Sequence, residues 1–429
     1  MKIDICPQEL SERIALNFKR LSKGDYYQIE NVFAPADYDW EGDKEGRALL
    51  AFVSLYKATG KKIACMDEML ALMPEKLNAK GYIGRVQGEE VVEQQLSGHS
   101  WLLRGLCEHY EQFHDEYSLA ALKTVVENLF LPTRGIYSDY PIDRENADVG
   151  GVSGTELGRS GRWLLSTDVG CAFMSVDGLS HAYQVTKDAR IKELLDEMIG
   201  VYLAIDKLAL RVQTHCTLTA ARGMMRMYAN TADERYLSGA KELYDLYVNH
   251  GGMTYTYQNM NWWGRPDTWT EPCAIVDSLM LAVQLYNVTG EEHYRNFAAR
   301  VYHNGFSTLQ RHNGGAGTDT VVAPGSPWTY LKADMYEAYF CCSMRLSEGL
   351  WFINENKDLL WAETAGGPVK NENGVYMDGD IVYAEVSGGG EAYADHFADV
   401  DGHKLCPIVK YYRVPREVME TTVQQIIFA

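Results

Sequence analysis

The chain lacks basic clusters and carries few basic residues overall. Lysine and arginine together number 40, against 59 aspartate and glutamate residues, so the formal net charge is -19 over 429 residues. Proteins that bind nucleic acid or anionic membranes need basic patches to neutralise phosphate charge. We therefore expect neither nucleic acid nor a membrane as a partner. The sequence leaves open whether the chain forms a homo-oligomer.

Long hydrophobic runs are also missing. No stretch of 18 apolar residues occurs, and residues 1–7 contain no apolar core of signal-peptide length. The 9 cysteines are odd in number and irregularly spaced, which fits a reducing compartment better than a disulfide framework. These absences favour a cytoplasmic location. The hydrophobic fraction of 46% and the charged fraction of 23% are typical of a globular, enzyme-sized protein.

A short pattern recurs along the chain: an apolar helix that ends in tyrosine, a turn near Thr-Gly or its equivalent, and a charged helix start. The tyrosines are Tyr56, Tyr110, Tyr183, Tyr228 and Tyr286. Amphipathic helices follow these turns, and helix pairs repeated at this spacing indicate a solenoid or a closed ring. The pattern predicts an all-α (α/α)6 toroid whose aromatic-rich loops line one mouth of the ring. An α-solenoid with a protein-binding groove is the alternative.

The composition changes after Trp351. Residues 372–383 are alternating and rich in β-branched side chains, which predicts a β-hairpin. We therefore predict two domains, an (α/α)6 catalytic-like domain at 1–355 and a small β-rich appendage at 356–429.

Three cysteines and a glutamate occupy two short segments, Glu271-Pro272-Cys273 and Cys341-Cys342. Each segment precedes a helical apolar pattern, and the positive end of a helix stabilises thiolate over thiol. Three thiolates and one carboxylate can close a four-coordinate site, and Zn²⁺ accepts this mixture of sulfur and oxygen. Zinc is therefore the predicted cofactor. The alternative is three buried cysteines that serve as small apolar residues.

The two segments, about seventy residues apart, resemble glycoside hydrolase family 127, whose type activity is β-L-arabinofuranosidase. Further matches are the turn Gly81-Tyr82-Ile83-Gly84, the helix starts at Ser97-Gly98-His99 and at His215, and the pair Gly251-Gly252. The resemblance extends over roughly residues 40–355 and is most specific at the four ligand positions.

The resemblance implies a retaining glycosidase of small carbohydrates, with zinc held by Glu271, Cys273, Cys341 and Cys342. Cys341 would be the nucleophile that attacks the anomeric carbon of an arabinofuranoside-like or related sugar.

The resemblance also implies a set of substrate-binding residues. His99 and His215 would bind sugar hydroxyls, although either could instead be a helix-start histidine satisfied by the main chain. Asp168 lies near the place of a third family histidine. Tyr255 occupies the place of the family's acid/base glutamate, and Trp269 completes the predicted set.

The chain departs from the family at several positions. Residues 253–267 contain no glutamate, so the general acid is unassigned, with Asp168, Glu337 and Asp334 as candidates. Ser343 replaces the usual proline after the adjacent cysteines.

Three interpretations follow from these departures. The chain is a divergent zinc-cysteine glycosidase, an inactive or carbohydrate-binding relative with a structural zinc, or a different (α/α)6 sugar enzyme. The last class includes sugar epimerases and unsaturated-uronide hydrolases, which use histidine or aspartate pairs and no thiolate.

Overall fold

The computed structural model describes residues 2–34, 40–142, 153–328 and 333–363, and four strand segments between residues 369 and 413. The described part is mostly helical. The chain divides into two compact units, Leu21–Tyr244 and the combination of Met1–Arg20 with Asp245–Ala429. We call these the Leu21–Tyr244 unit and the Asp245–Ala429 unit.

In the Leu21–Tyr244 unit, helices that are buried on nearly every side alternate with helices that keep one exposed face. The buried helices are α3 (Asp43–Thr59), α5 (Glu93–Phe113), α7 (Ser175–Thr186) and α9 (Thr214–Thr231). The others are α2 (Ile29–Val32), α4 (Cys65–Lys76), α6 (Glu116–Val125), α8 (Ala189–Ala204) and α10 (Glu234–Asn249), whose last turn enters the other unit. This alternation is expected of helical hairpins that bury one helix of each pair.

The tyrosine turns confirm the predicted hairpins. Each tyrosine lies four residues before a left-handed residue that ends the helix and whose N–H donates to the tyrosine carbonyl at 2.7 to 2.8 Å. These residues are Gly60, His114, Lys187, Ala232 and Gly290. The threonine before the left-handed residue, in all copies but that of His114, donates its hydroxyl to the carbonyl four residues earlier. The repeat therefore encodes a helix C-cap.

Neighbouring buried helices touch backbone to backbone. A Cβ added at Gly46 of α3 would lie 2.1 Å from the main-chain nitrogen of Leu102 in α5. A Cβ at Gly223 of α9 would lie 2.6 Å from the carbonyl oxygen of Val176 in α7. Only glycine permits these approaches.

Ion pairs are buried between the same helices. Asp177 of α7 is fully buried, and its carboxylate pairs with Arg104 of α5 at 3.1 Å and with Arg226 of α9. A small sheet completes the unit, in which β4 (Trp163–Ser166) pairs with the parallel β2 (Val91–Val92) and the antiparallel β3 (Glu156–Ser160).

The Asp245–Ala429 unit contains α1 (Pro7–Lys23), which extends beyond it by one turn, α11 (Pro272–Thr289), α12 (Glu292–Arg300) and α13 (Cys342–Asn356). Helices α11 and α13 are buried and contact each other. Helix α11 is apolar enough to cross a membrane by composition, but 72% of it is buried inside the protein, as in a core helix.

The described strands of this unit form two sheets. β1 (Lys2–Ile3) pairs with β5 (Ala362–Glu363), and four antiparallel strands follow. These are β6 (Val369–Lys370), β7 (Val375–Asp378), β8 (Ile381–Glu385) and β9 (Val409–Arg413). The predicted hairpin is confirmed by the β7–β8 pairing, in which Met377 faces Val382, although residues 371–374 and 379–380 lie outside the described residues. The boundary at 355/356 stays a prediction.

Candidate metal centre and active site

The Glu-Pro-Cys segment starts α11, as the sequence predicts. Glu271 is the extended residue before the helix, and Pro272 takes the first helical position, where its missing N–H is no loss. The Glu271 N–H donates to the Asn259 Oδ1 at 2.7 Å. Cys273 therefore lies in the first turn of a buried helix, and its side chain is fully buried.

The adjacent cysteines start α13. Cys341 precedes the helix, Cys342 is its first residue, and the carbonyl of Cys341 accepts from the N–H of Arg345 at 3.0 Å. A turn before the helix brings the N–H of Ser343 within 3.2 Å of the carbonyl of Ala338. Cys342 is buried, whereas Cys341 is half-buried. Cys341 is thus the more exposed residue of the pair.

The three thiols form one cluster. The Sγ of Cys273 lies 3.7 Å from that of Cys342, which lies 3.3 Å from that of Cys341. None of the three forms a disulfide bond with another described residue. Zn–S bonds of about 2.3 Å at a tetrahedral angle place two sulfurs about 3.8 Å apart. The observed separations, one close to this value and one slightly shorter, suit a thiophilic cation.

Burial governs the protonation of the central thiol, that of Cys342. Burial, followed by the neighbouring Cys273 and Cys341 thiols, raises the pKa of Cys342 well above its ordinary value. At neutral pH the Cys342 thiol therefore keeps its proton until a bound cation displaces it, because metal binding deprotonates thiol ligands.

Glu271 brings a carboxylate oxygen close to one of the three cysteines. A carboxylate oxygen of Glu271 lies within 4.8 Å of the Cys273 Sγ, and the side chain is half-buried. The predicted ligands Glu271, Cys273, Cys341 and Cys342 therefore all lie at the starts of α11 and α13. Their donor chemistry, three sulfurs and one carboxylate, fits zinc.

A segment that the sequence analysis did not identify holds the Glu271 loop in place. The carbonyl of Asp319 accepts from the N–H of Thr270 at 2.8 Å, and the N–H of Asp319 donates to the Thr270 hydroxyl at 3.0 Å. The buried Asp319 carboxylate in turn pairs with Arg311 at 3.0 Å and accepts from Gln258 at 2.8 Å. Asp319 is therefore a support for the start of α11.

Tyr255 and Trp269 lie in the same unit, and both side chains are half-buried. Trp269 packs edge-on against Trp262, with ring centroids 5.3 Å apart. The N–H of Tyr255 donates to the carbonyl of Val322 at 2.8 Å. Half-buried aromatic rings can pack against the face of a sugar ring. The substrate-binding role of Tyr255 and Trp269 stays a prediction.

His99 lies in the Leu21–Tyr244 unit, on α5, and is fully buried. Its Nδ1 contacts the carbonyl of Gln95 at 2.8 Å, and its Nε2 accepts from the N–H of Ile83 at 3.1 Å. Burial lowers the pKa of His99 to about 4, so the ring is neutral. Both nitrogens are therefore engaged by the main chain. This matches the alternative to sugar binding, a histidine whose ring is satisfied by main-chain groups.

The other two predicted sugar ligands are also buried in this unit. His215 is the second residue of α9, and its ring stacks on Trp101 with centroids 5.8 Å apart. The carboxylate of Asp168 accepts from the N–H of Gly154 at 3.0 Å, from the Ser153 hydroxyl and from the Gln213 amide. Asp168 thus anchors the chain around Gly154, and its role in substrate binding stays a prediction.

The remaining acid candidates differ in their surroundings. Glu337 forms a bidentate ion pair with Arg20 and accepts further hydrogen bonds from Asn313 and Ser343. Asp334 is exposed, and its carboxylate contacts only the Thr318 hydroxyl, at 3.3 Å, among the hydrogen bonds of the described residues. Asp334 is therefore the more accessible carboxyl group of the two.

No family model matches the chain, and no curated protein matches its sequence. Solved structures do. A glycoside hydrolase family 127 β-arabinofuranosidase shares 13% identity at a TM-score of 0.55, over 90% of this chain and 66% of that one. An unsaturated glucuronyl hydrolase specific for heparin shares 12% identity at a TM-score of 0.54, over 83% and 100%. A sugar epimerase from a ruminal bacterium shares 13% identity at a TM-score of 0.53, over 81% and 97%.

These likenesses show the fold. The predicted (α/α)6 architecture is confirmed, because all three structures share it over four fifths or more of this chain. The chain spans less than two thirds of the length of the family 127 structure.

Proposed function

We propose that the protein is a carbohydrate-active enzyme, a retaining glycoside hydrolase of arabinofuranoside-like or related small sugars. One observation supports this above the others. Cys341 is half-buried and lies at the edge of a cluster whose other two cysteines are buried. The buried Cys273 and Cys342 can serve only as metal ligands, whereas the more exposed Cys341 can also reach a substrate.

In this proposal Glu271, Cys273 and Cys342 hold zinc together with Cys341. Bound zinc would keep the sulfurs as thiolates at neutral pH and make sulfur a better leaving group. The start of α13 adds its partial positive charge on the same side as the cysteines.

The reaction then runs in two steps. The Cys341 thiolate attacks the anomeric carbon, a C–S bond forms, the glycosidic C–O bond breaks, and the leaving oxygen takes a proton from the general acid. Water next attacks the same carbon, the C–S bond breaks, and the proton of water returns to the acid's conjugate base. Two inversions give net retention. We assign the acid to Asp334, the exposed candidate.

The likeness to a β-arabinofuranosidase supports both the reaction class and the sugar. The half-buried Trp269 and Tyr255 supply candidate contacts for a sugar ring face. The absence of basic clusters and the irregular cysteines support a cytoplasmic enzyme without nucleic-acid or membrane partners.

A second candidate is a sugar epimerase or an unsaturated-uronide hydrolase. It is favoured by the extent of the structural alignment, because this chain covers 97% of the epimerase structure and 100% of the glucuronyl hydrolase structure. Such an enzyme would need no thiolate, so the cysteine cluster would have no catalytic role. A third candidate, an inactive relative, would keep a closed four-ligand zinc as a structural clamp.

The test compares Cys341→Ser with Cys6→Ser, a matched change at an exposed cysteine. We expect the wild type to contain zinc and to hydrolyse an aryl arabinofuranoside with retention of configuration. NMR identification of the first-formed anomer measures that retention. We also expect a sugar-configured cyclitol epoxide to label Cys341, and Cys341→Ser alone to lose turnover. Unchanged turnover in Cys341→Ser would refute the nucleophile, and zinc without labelling or turnover would favour the structural clamp.

A further inference from the structure

Ser343, the residue after the adjacent cysteines, is fixed by its hydroxyl. Its Oγ donates to the Glu337 Oε1 at 2.7 Å and accepts from the N–H of Ala316 at 3.0 Å. The side chain is fully buried. The main-chain carbonyl of Ser343 also accepts from the Asn17 side chain, at 3.1 Å. The first turn of α13 is therefore held on two sides.

Glu337 is itself a rigid acceptor. The Arg20 guanidinium contacts both carboxylate oxygens, Nε to Oε1 at 2.9 Å and one terminal nitrogen to Oε2 at 2.9 Å. Asn313 adds a third donor at 2.6 Å. A bidentate arginine-carboxylate pair fixes orientation as well as distance. The Glu337 side chain is only 7% exposed, which limits competition from water.

The surrounding chain leaves little freedom at this contact. A Cβ added at Gly315 would lie 2.2 Å from the Glu337 Oε1 and 2.7 Å from the Ser343 Oγ. The Ser343–Glu337 hydrogen bond is thus enclosed by backbone, and the serine hydroxyl has one defined position.

We infer that Ser343, Glu337 and Arg20 are positioning residues for the metal centre, which set where the sulfurs of Cys341 and Cys342 lie. Ser343 directly follows Cys342, so a rotation of this turn would move the Cys342 Sγ away from its 3.7 Å separation from the Cys273 Sγ. Hydrogen-bond partners that orient metal ligands typically change metal affinity about 10- to 100-fold when removed. This inference rests on the zinc site of the proposed function and not on sugar turnover.

A hydrogen bond that stabilises only the fold would affect the unfolding midpoint but not the zinc affinity. Ser347 offers the comparison, because it lies one turn further along α13, is fully buried, and donates its hydroxyl to the Asn17 Oδ1 at 2.6 Å. Ser343→Ala and Ser347→Ala thus delete the same atom from the same helix, but only the first breaks the link to Glu337. The second removes the donor to the Asn17 Oδ1 and leaves the Asn17 Nδ2 to donate to the Ser343 carbonyl.

The experiment measures zinc affinity of the full chain by competition with a chromophoric chelator, without any sugar, alongside the unfolding midpoint. We expect both alanine variants to lower the midpoint. We expect Ser343→Ala to weaken zinc binding about 10- to 100-fold and Ser347→Ala to weaken it less than about threefold. Cobalt(II) provides a second readout, since a displaced thiolate shifts the sulfur-to-cobalt charge-transfer band.

Equal zinc affinities for the two alanine variants would overturn the inference, and so would a wild type that binds no zinc. If Ser343→Ala fails to fold, Arg20→Gln replaces it, because Arg20 is partly exposed and outside the turn. Unchanged zinc affinity in Arg20→Gln would then refute the role of the ion pair. Zinc binding without sugar turnover would refute the proposed function alone.

Discussion

Glu45 gives a stability prediction with a defined sign. It lies in the first turn of α3 and is buried, and this burial raises the pKa of its carboxyl from 4.5 to about 7. The charges nearest to it, Lys44 and Asp43, act in opposite directions and do not cancel the effect of burial. A carboxyl with a raised pKa stays protonated in the folded protein at pH values where the unfolded chain has already ionised. The contribution of Glu45 to the free energy of unfolding is therefore most favourable below about pH 4.5. It falls as the pH rises and levels off above about pH 7.

The magnitude follows from the size of the shift. A change of about 2.5 pKa units at about 1.4 kcal/mol per unit corresponds to roughly 3 kcal/mol of stability lost by pH 8. We expect Glu45→Gln, which cannot ionise, to be more stable than the wild type by up to about this amount at pH 8. At pH 4.5 the two proteins should differ little.

The assay is urea unfolding of both proteins at pH 4.5, 6 and 8. Glu68→Gln is the control, because Glu68 lies in the first turn of α4 and is exposed. A Glu45→Gln variant whose stability difference from the wild type is the same at all three pH values would refute the reasoning. A Glu68→Gln control that gains as much stability at pH 8 as Glu45→Gln would also refute it.

Three further predictions concern the interior and the site. Asp177→Ala leaves the buried Arg104 and Arg226 without their shared carboxylate and should destabilise the fold by about 3 to 5 kcal/mol, measured by urea unfolding. A loss under about 1 kcal/mol would contradict the buried ion pairs. Asp334→Asn should slow hydrolysis of alkyl glycosides about 10²- to 10⁴-fold but spare nitrophenyl glycosides, whose leaving group needs no acid; an equal effect on both substrates would exclude it as the acid. Removing zinc with a chelator should abolish turnover and lower the unfolding midpoint, and zinc should restore both; full activity of the metal-free protein would contradict the metal centre.

The fold was predictable because its signals are local. The turns after Tyr56 and Tyr286 carry their own C-cap residues, Gly60 and Gly290, so a few residues of sequence are enough to identify each hairpin. The start of α11 was predictable for the same reason, since Pro272 at the first helical position is a local signal.

The supports of the site were not predictable from local patterns. The ion pair of Arg20 with Glu337 joins residues 317 positions apart, and no local pattern links them. Glu337 was therefore a candidate acid in the sequence, whereas its carboxylate is held by several donors in the structure. His99 shows the same limit, because the N–H that engages its Nε2 belongs to Ile83, outside its own helix.

The central claim is that the three thiols hold one zinc ion and that the Cys341 sulfur also reacts with the sugar. Mass spectrometry of the native protein after treatment with an arabinofuranose-configured cyclitol epoxide tests both parts together. We expect one zinc per chain and one label, found on the peptide that contains Cys341. A native protein without zinc, or a label on any other residue, would contradict it.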